Sequence, residues 1–114
     1  MPTLSVRIDL DGGERIGPGK VALLKAVGET GSISAAGRAL GMSYRRAWRL
    51  IEDLNRCFKQ PLVTAQTGGK SGGGAELTEL GQAVIDHYTA IAAKSEKAAT
   101  RHLVALQATM RGRR

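Results

Sequence analysis

Apolar and polar residues alternate at the start of the chain: Leu4, Val6, Ile8 and Leu10 against Ser5, Arg7 and Asp9. A period of two belongs to a strand covered on one face, and Asp11-Gly12-Gly13 supplies the turn that ends it. From Gly17-Pro18 the spacing changes. Val21, Leu24 and Val27 share one helical face with Leu23 beside them, and proline suits a first helical position. Gly31-Ser32 closes this helix and introduces a short one over 32–40, rich in small residues, for which Ser32 or Ser34 is a suitable cap.

Gly41-Met42-Ser43 breaks the chain again, and a longer helix follows from Tyr44 to about Phe58. Its apolar side is Tyr44, Ala47, Trp48, Ile51, Leu54 and Phe58, and Pro61 ends it. Residues 62–66 and Ala75-Glu76-Leu77 read as two strands of a hairpin with a long glycine-rich tip. Thr78 and Glu79 suit the first turn of a last helix reaching about Met110. Its early stripe is Leu80, Val84, Tyr88 and Ile91. Its middle is alanine-rich, and Leu103, Leu106 and Met110 resume bulkier packing. The expected fold is mainly α with a small β-wing, in a single domain: core and wing over 1–78, a long helix over 79–110, and a basic tail over 111–114.

Two helices joined by a tight glycine-bearing turn form the helix-turn-helix pattern. Ala35, Ala36 and Ala39 allow the second helix to cross the first closely, and Gly41 permits the sharp turn. The polar side of the second helix carries Ser43, Arg45, Arg46 and Arg49. Spacings of three and four place the arginines on adjoining parts of one surface, in the half that a recognition helix inserts into the major groove. An arginine there grips guanine with two hydrogen bonds or neutralises a phosphate. The competing assignment is a solvated face, with Arg49 paired to Asp53 one turn on. Trp48 shares the stripe with Ile51 and is expected in the core. Tyr44 is placed to pack its ring while its hydroxyl reaches a phosphate.

Charge strengthens this direction. The chain of 114 residues carries a formal net charge of +7, which favours a polyanionic partner. Apolar residues make up 42%, ordinary for a folded domain. The one cysteine, Cys57, allows no intrachain disulfide and fits a reducing compartment; beside Phe58 it is expected to be a buried structural thiol. No run is long and apolar enough to span a membrane, and acidic residues stand where a signal peptide would have its apolar centre, so a cytoplasmic location is expected. There is no convincing catalytic set. On one continuous helix His87 and His102 lie about 22 Å apart, too far to share a metal. No cofactor or metal is expected.

One stretch points elsewhere at first sight. Gly69-Lys70-Ser71 resembles the end of a phosphate-binding loop, which would use Lys70 in a nucleotide-dependent enzyme. That loop needs a leading glycine where Thr64 stands and a helix starting where Gly72-Gly73-Gly74 follows. The tip of a wing suits the residues better. Glycines let backbone N–H groups approach the sugar-phosphate chain, Lys70 adds a charge, and Thr67 and Ser71 donate to phosphate oxygens. The bland alternative is a hairpin tip with no ligand.

The run GSISAAGRALGMSYRRAWRLIEDLN, followed by AQTGGKSGGGAELTELG, resembles the N-terminal DNA-binding domain of ModE-type molybdate-responsive regulators, distant relatives of the LysR-type regulators. The resemblance covers roughly Val6 to Tyr88. It implies a bacterial regulator with a winged helix that dimerises through its terminal helix and reads a palindromic site on double-stranded DNA. The positions it marks are Ser43, Tyr44, Arg45, Arg46 and Arg49 in the recognition helix, and the wing from Thr67 to Gly74, with Gly69, Lys70 and Ser71 at its tip. Full-length members carry C-terminal oxyanion-binding domains, and this sequence runs to Arg114 without one, so this chain alone is not expected to bind molybdate. The alternatives are a winged-helix protein–protein adaptor and a non-specific architectural DNA binder.

Overall fold

The computed structural model describes residues 1–66 and 74–112. The elements follow in the order β1 (Ile8–Asp9), β2 (Arg15–Ile16), α1 (Pro18–Thr30), α2 (Ile33–Ala39), α3 (Tyr44–Cys57), β3 (Val63–Gln66), β4 (Gly74–Leu77) and α4 (Glu79–Ala108). This is a winged helix-turn-helix, mainly helical, with a long terminal helix, as the periodicities predict.

The first segment departs in detail from the expected strand over 4–10. Burial does alternate, with Leu4, Val6 and Ile8 half-covered and Ser5, Arg7 and Asp9 exposed. Yet only two residues form a ladder, Ile8 opposite Ile16 and Asp9 opposite Arg15. The return strand after the Gly12-Gly13 turn is only two residues long. The rest of the segment is tied down by α4, where the Tyr88 hydroxyl donates to the Val6 carbonyl at 2.6 Å.

Each helix start has a local reason. Pro18 stands in the first turn of α1, and the helix ends at Gly31, whose N–H reaches the Val27 carbonyl at 2.8 Å. Ser32, rather than Ser34, caps α2 by accepting from the Ala35 N–H at 3.0 Å. Ser43 caps α3 by accepting from the Arg46 N–H at 3.1 Å, and Thr78 caps α4 by accepting from the Gly81 N–H at 3.0 Å.

The core gathers Ile16, the α1 residues Val21, Leu23, Leu24 and Val27, Ala36 of α2, the α3 residues Ala47, Ile51 and Leu54, Leu62, Val63 and Ala75 of the wing, and Ile85 and Tyr88 of α4. The wing is antiparallel, with Val63 opposite Leu77 and Gln66 opposite Gly74. Its second strand is fastened to the end of α1, since the Ala75 N–H donates to the Gly31 carbonyl at 2.8 Å. All of α4's buried residues, Gly81, Ile85 and Tyr88, lie in its first third. The remaining twenty residues run on for about 30 Å at the helical rise. The radius of gyration is therefore 17.1 Å, against about 13 Å for a compact domain of this length.

Candidate nucleic-acid interface

The turn between α2 and α3 is built on two glycines. Gly41 adopts φ 72°, in the left-handed region that side chains disfavour. Gly37 sits where the helices cross: a Cβ there would lie 3.1 Å from the Ala47 Cβ and 3.3 Å from the Met42 carbonyl oxygen. Ala36 and Ala47 are fully buried at the same crossing. The small residues expected to permit the crossing were Ala35, Ala36 and Ala39. Ala36 does so, Ala39 is exposed, and Gly37 takes the closest position. Its part depends on Ala47 opposite, a contact that no local pattern reveals.

This packing fixes what α3 shows to solvent. With Ala47, Ile51 and Leu54 turned inward, Arg45 and Arg49 point away from the core and Arg46 lies on the flank; all three are exposed. None of them pairs with a carboxylate among the described residues. The expected alternative pair of Arg49 with Asp53 does not form. Instead Arg56 holds both acids, hydrogen-bonding Asp53 and lying 3.7 Å from Glu52. The acidic groups of α3 are thus engaged at its far end, and the N-terminal half carries uncompensated positive charge. The α3 N-terminus adds the positive end of the helix dipole beside its Ser43 cap.

Two sequence expectations fail on α3. Trp48 was expected in the core and is 44% exposed; Cys57 was expected to be buried and is exposed. The inward stripe is only three residues wide. At 100° per residue, Trp48 and Cys57 each stand about 90° from its centre, on opposite sides. Tyr44, in the first turn, is 57% exposed. Both aromatic residues therefore lie beside Arg45 and Arg49 as an accessible apolar strip; Trp48 was expected inward, Tyr44 with its ring packed and its hydroxyl free to reach a phosphate.

Cys57 has a different neighbour. Its thiol donates to the Glu14 carboxylate at 3.0 Å, and this bond, more than its slight burial, raises the thiol's pKa. Glu14 is held on its other oxygen by the Lys20 ammonium at 2.5 Å. Burial pushes the Glu14 carboxyl up, but the hydrogen bonds from Lys20 and Cys57 outweigh it and leave the pKa below its ordinary value. This cluster ties the β1–β2 hairpin to α1 and α3.

The wing-tip residues Thr67, Gly69, Lys70 and Ser71 lie outside the described residues. The described root of the hairpin extends from the core with Ala65 exposed. His87 and His102 are exposed on α4, and no group of three or more His, Cys, Asp or Glu among the described residues is arranged to hold a metal. No helix among the described residues is long and apolar enough to cross a membrane.

With the geometry in place, comparison with known proteins is informative. The family model for bacterial regulatory helix-turn-helix proteins of the lysR family matches residues 19–82, from α1 into the start of α4. This chain belongs to that family. It is 52% identical over 81 residues to the molybdenum-pterin-binding protein MopB of Rhodobacter capsulatus, covering 71% of this chain and 30% of that protein. It is 42% identical over 81 residues to the DNA-binding transcriptional dual regulator ModE of Escherichia coli, covering 71% of this chain and 31% of ModE. The chain therefore spans about three tenths of the length of the curated relatives it matches. Among solved structures, the CbnR_DBD-DNA complex aligns with a TM-score of 0.58 at 23% identity, over 76% of this chain and 94% of that one. Full-length CbnR complexed with its target DNA aligns with a TM-score of 0.55 at 23% identity, over 73% of this chain and 27% of that one. These two likenesses show the fold.

Proposed function

We propose that this protein is a dimeric, sequence-specific DNA-binding transcription regulator of the bacterial cytoplasm. It works by binding rather than by catalysis, within one domain spanning 1–114. The observation that carries the reading is the charged half of α3. Arg45, Arg46 and Arg49 are exposed beyond a glycine-built turn, with every nearby acid engaged by Arg56. In the major groove these arginines reach guanine edges or phosphates, Tyr44 and Trp48 cover sugar or thymine methyl groups, and Ser43 lies against a phosphate. The wing residues Thr67, Gly69, Lys70 and Ser71, which lie outside the described residues, are proposed as contacts to the neighbouring backbone. The DNA-binding proteins and complexes among its relatives support this reading.

The dimer rests on α4. A groove of about 1160 Å³ runs between α1, β4 and α4, and among the described residues Glu29, Glu79 and Asp86 line it with one basic residue, Lys25. The distal part of α4 carries Lys94, Lys97 and Arg101 against one acid, Glu96, with Ile91, Val104 and Leu106 exposed. An acidic groove at the start of α4 and a basic stretch further along that helix support pairing between copies through the C-terminal helix. The molybdenum in the relatives' names is carried over to no residue here, and this chain alone is proposed not to bind molybdate.

The deciding experiment is selection of binding sites from random duplex DNA, followed by affinity across a salt series. An enriched palindrome with spaced half-sites is expected. Tight binding without enrichment would replace sequence reading by an architectural role, and absence of binding at low salt would overturn the DNA assignment in favour of an adaptor.

A further inference from the structure

Asn55, in the last turn of α3, links the helix-turn-helix to the wing through three hydrogen bonds. Its Oδ1 accepts from the Leu62 N–H at 2.8 Å and from the Val63 N–H at 3.2 Å, while its Nδ2 donates to the Val63 carbonyl at 2.9 Å. One amide thus satisfies three backbone groups where the chain enters β3. Its planar carboxamide, with acceptor and donor on one side, engages both the N–H and C=O of Val63. On the opposite side, the Leu62 carbonyl accepts from the Thr78 N–H at 2.9 Å. The Thr78 hydroxyl, which caps α4, stands 2.8 Å from the Pro61 carbonyl oxygen. The root of the wing is therefore gripped between the end of the recognition helix and the start of α4. Leu62 is fully buried there and the three bonds of Asn55 are part-buried.

We infer that Asn55 is a positioning residue that sets the angle at which the wing meets DNA relative to the recognition helix. The inference rests on the DNA-binding reading above. The bonds of Asn55 reach the strand at its first residue, and β3 runs from Val63 to Gln66. A small rotation at Val63 is amplified along that strand and displaces whatever the hairpin carries, while α3, held by its own core residues and its Ser43 cap, stays in place. Arginine contacts in the major groove and contacts of the wing with flanking backbone are thereby kept in register by one side chain that touches neither.

The test compares the parent chain with Asn55→Ala and Asn55→Asp on two duplexes, one holding the selected site alone and one with several flanking base pairs on each side. For the parent, flanks are expected to add affinity and hydroxyl-radical protection outside the major-groove half-sites. Asn55→Ala should lose that flank-dependent gain, about tenfold for a wing contact of ordinary strength, and keep its affinity for the short duplex. Asn55→Asp retains the two acceptor bonds and should restore part of the gain. Equal losses on both duplexes would mean that Asn55 only stabilises the fold, and unchanged binding on both would also overturn the inference. Hydrogen exchange without DNA gives an independent check. The Leu62 and Val63 amides should exchange faster in Asn55→Ala while the α3 amides stay protected; unchanged exchange would show that the side chain does not hold the strand. A parent that binds no duplex overturns the DNA-binding reading and the wing's part in it, whereas a parent that binds with variants that behave alike overturns the role of Asn55 alone.

Discussion

Helices α3 and α4 each leave a face uncovered, and the two faces differ in kind. On α3 the uncovered face is charged, with Arg45, Arg46 and Arg49 in its N-terminal half, while Ala47, Ile51 and Leu54 are buried beneath. Its inward stripe is covered, and the apolar surface left uncovered, Tyr44 and Trp48, lies beside those arginines. On α4 the apolar side is complete only as far as Tyr88. Beyond it, Ile91 is 42% exposed and Leu106 67%. The distal part cannot draw on its own domain for packing, from which most helical stability in proteins comes. Exposed charge above a finished core points to a polyanion; exposed apolar surface on an unfinished helix points to another polypeptide. The chain thus shows two uncovered faces of different chemistry, and the DNA contact and the self-association proposed for them can be tested separately.

The sharpest contrast is between leucines. Leu54→Ala, inside α3's finished core, should lower unfolding free energy by about 2–5 kcal/mol in chemical denaturation. Leu106→Ala should cost less than about 0.5 kcal/mol when measured on dilute, monomeric protein. Equal effects would mean that Leu106 is covered within its own chain. Next comes the double change Leu103→Lys with Leu106→Lys. It should weaken self-association by about 1.5 kcal/mol per leucine, seen as a shift to monomer in sedimentation. A parent that is already monomeric at micromolar concentration would remove the dimer.

Arginine substitution probes the other face. Arg49→Ala should cost about 1–3 kcal/mol of affinity for the selected site and relax the preference at one base pair, with thermal stability unchanged. Lys70→Ala should instead weaken binding to all sequences and reduce the salt slope by about one unit. If both leave DNA affinity intact, α3 is not the reading helix. The smallest effect belongs to the Glu14 cluster beneath α3. Glu14 titrates lower in the folded chain than in the unfolded one, so its contribution is complete above the ordinary glutamate range and is lost as pH falls through the folded value. Glu14→Gln should therefore narrow the stability difference between pH 7 and pH 3 relative to the parent; an unchanged difference would mean that the Lys20 and Cys57 contacts do not favour the ionised carboxylate.

Much of this architecture was legible because it is local. The three-and-four spacing of Ala47, Ile51 and Leu54, the serine and threonine at helix starts, and Pro61 each announce themselves within a few residues. What was not legible depends on distant partners. Trp48 and Cys57 were misplaced because the inward stripe of α3 proved narrower than its apolar composition. Gly37 acquires its role only when Ala47 arrives opposite, and Asn55 only when the chain returns at Leu62 and Val63. The two-residue return strand at Arg15–Ile16 was too short to leave a periodic signal. On the interface itself, sequence placed the arginines on one surface, while the engagement of Glu52 and Asp53 by Arg56 became visible only in three dimensions.

The bond from Tyr88 to the Val6 carbonyl has a consequence in time. Its partners are 82 positions apart. At synthesis rates of about 5–20 residues per second, residue 88 follows residue 6 by roughly 4–16 s. Throughout that interval the row of Leu4, Val6 and Ile8 lacks its anchor on α4, although the turn that returns the chain to Ile16 is already made. The segment around Val6 is thus made well before the residue on α4 that fastens it. During translation the Val6 carbonyl has to wait for the Tyr88 hydroxyl that satisfies it.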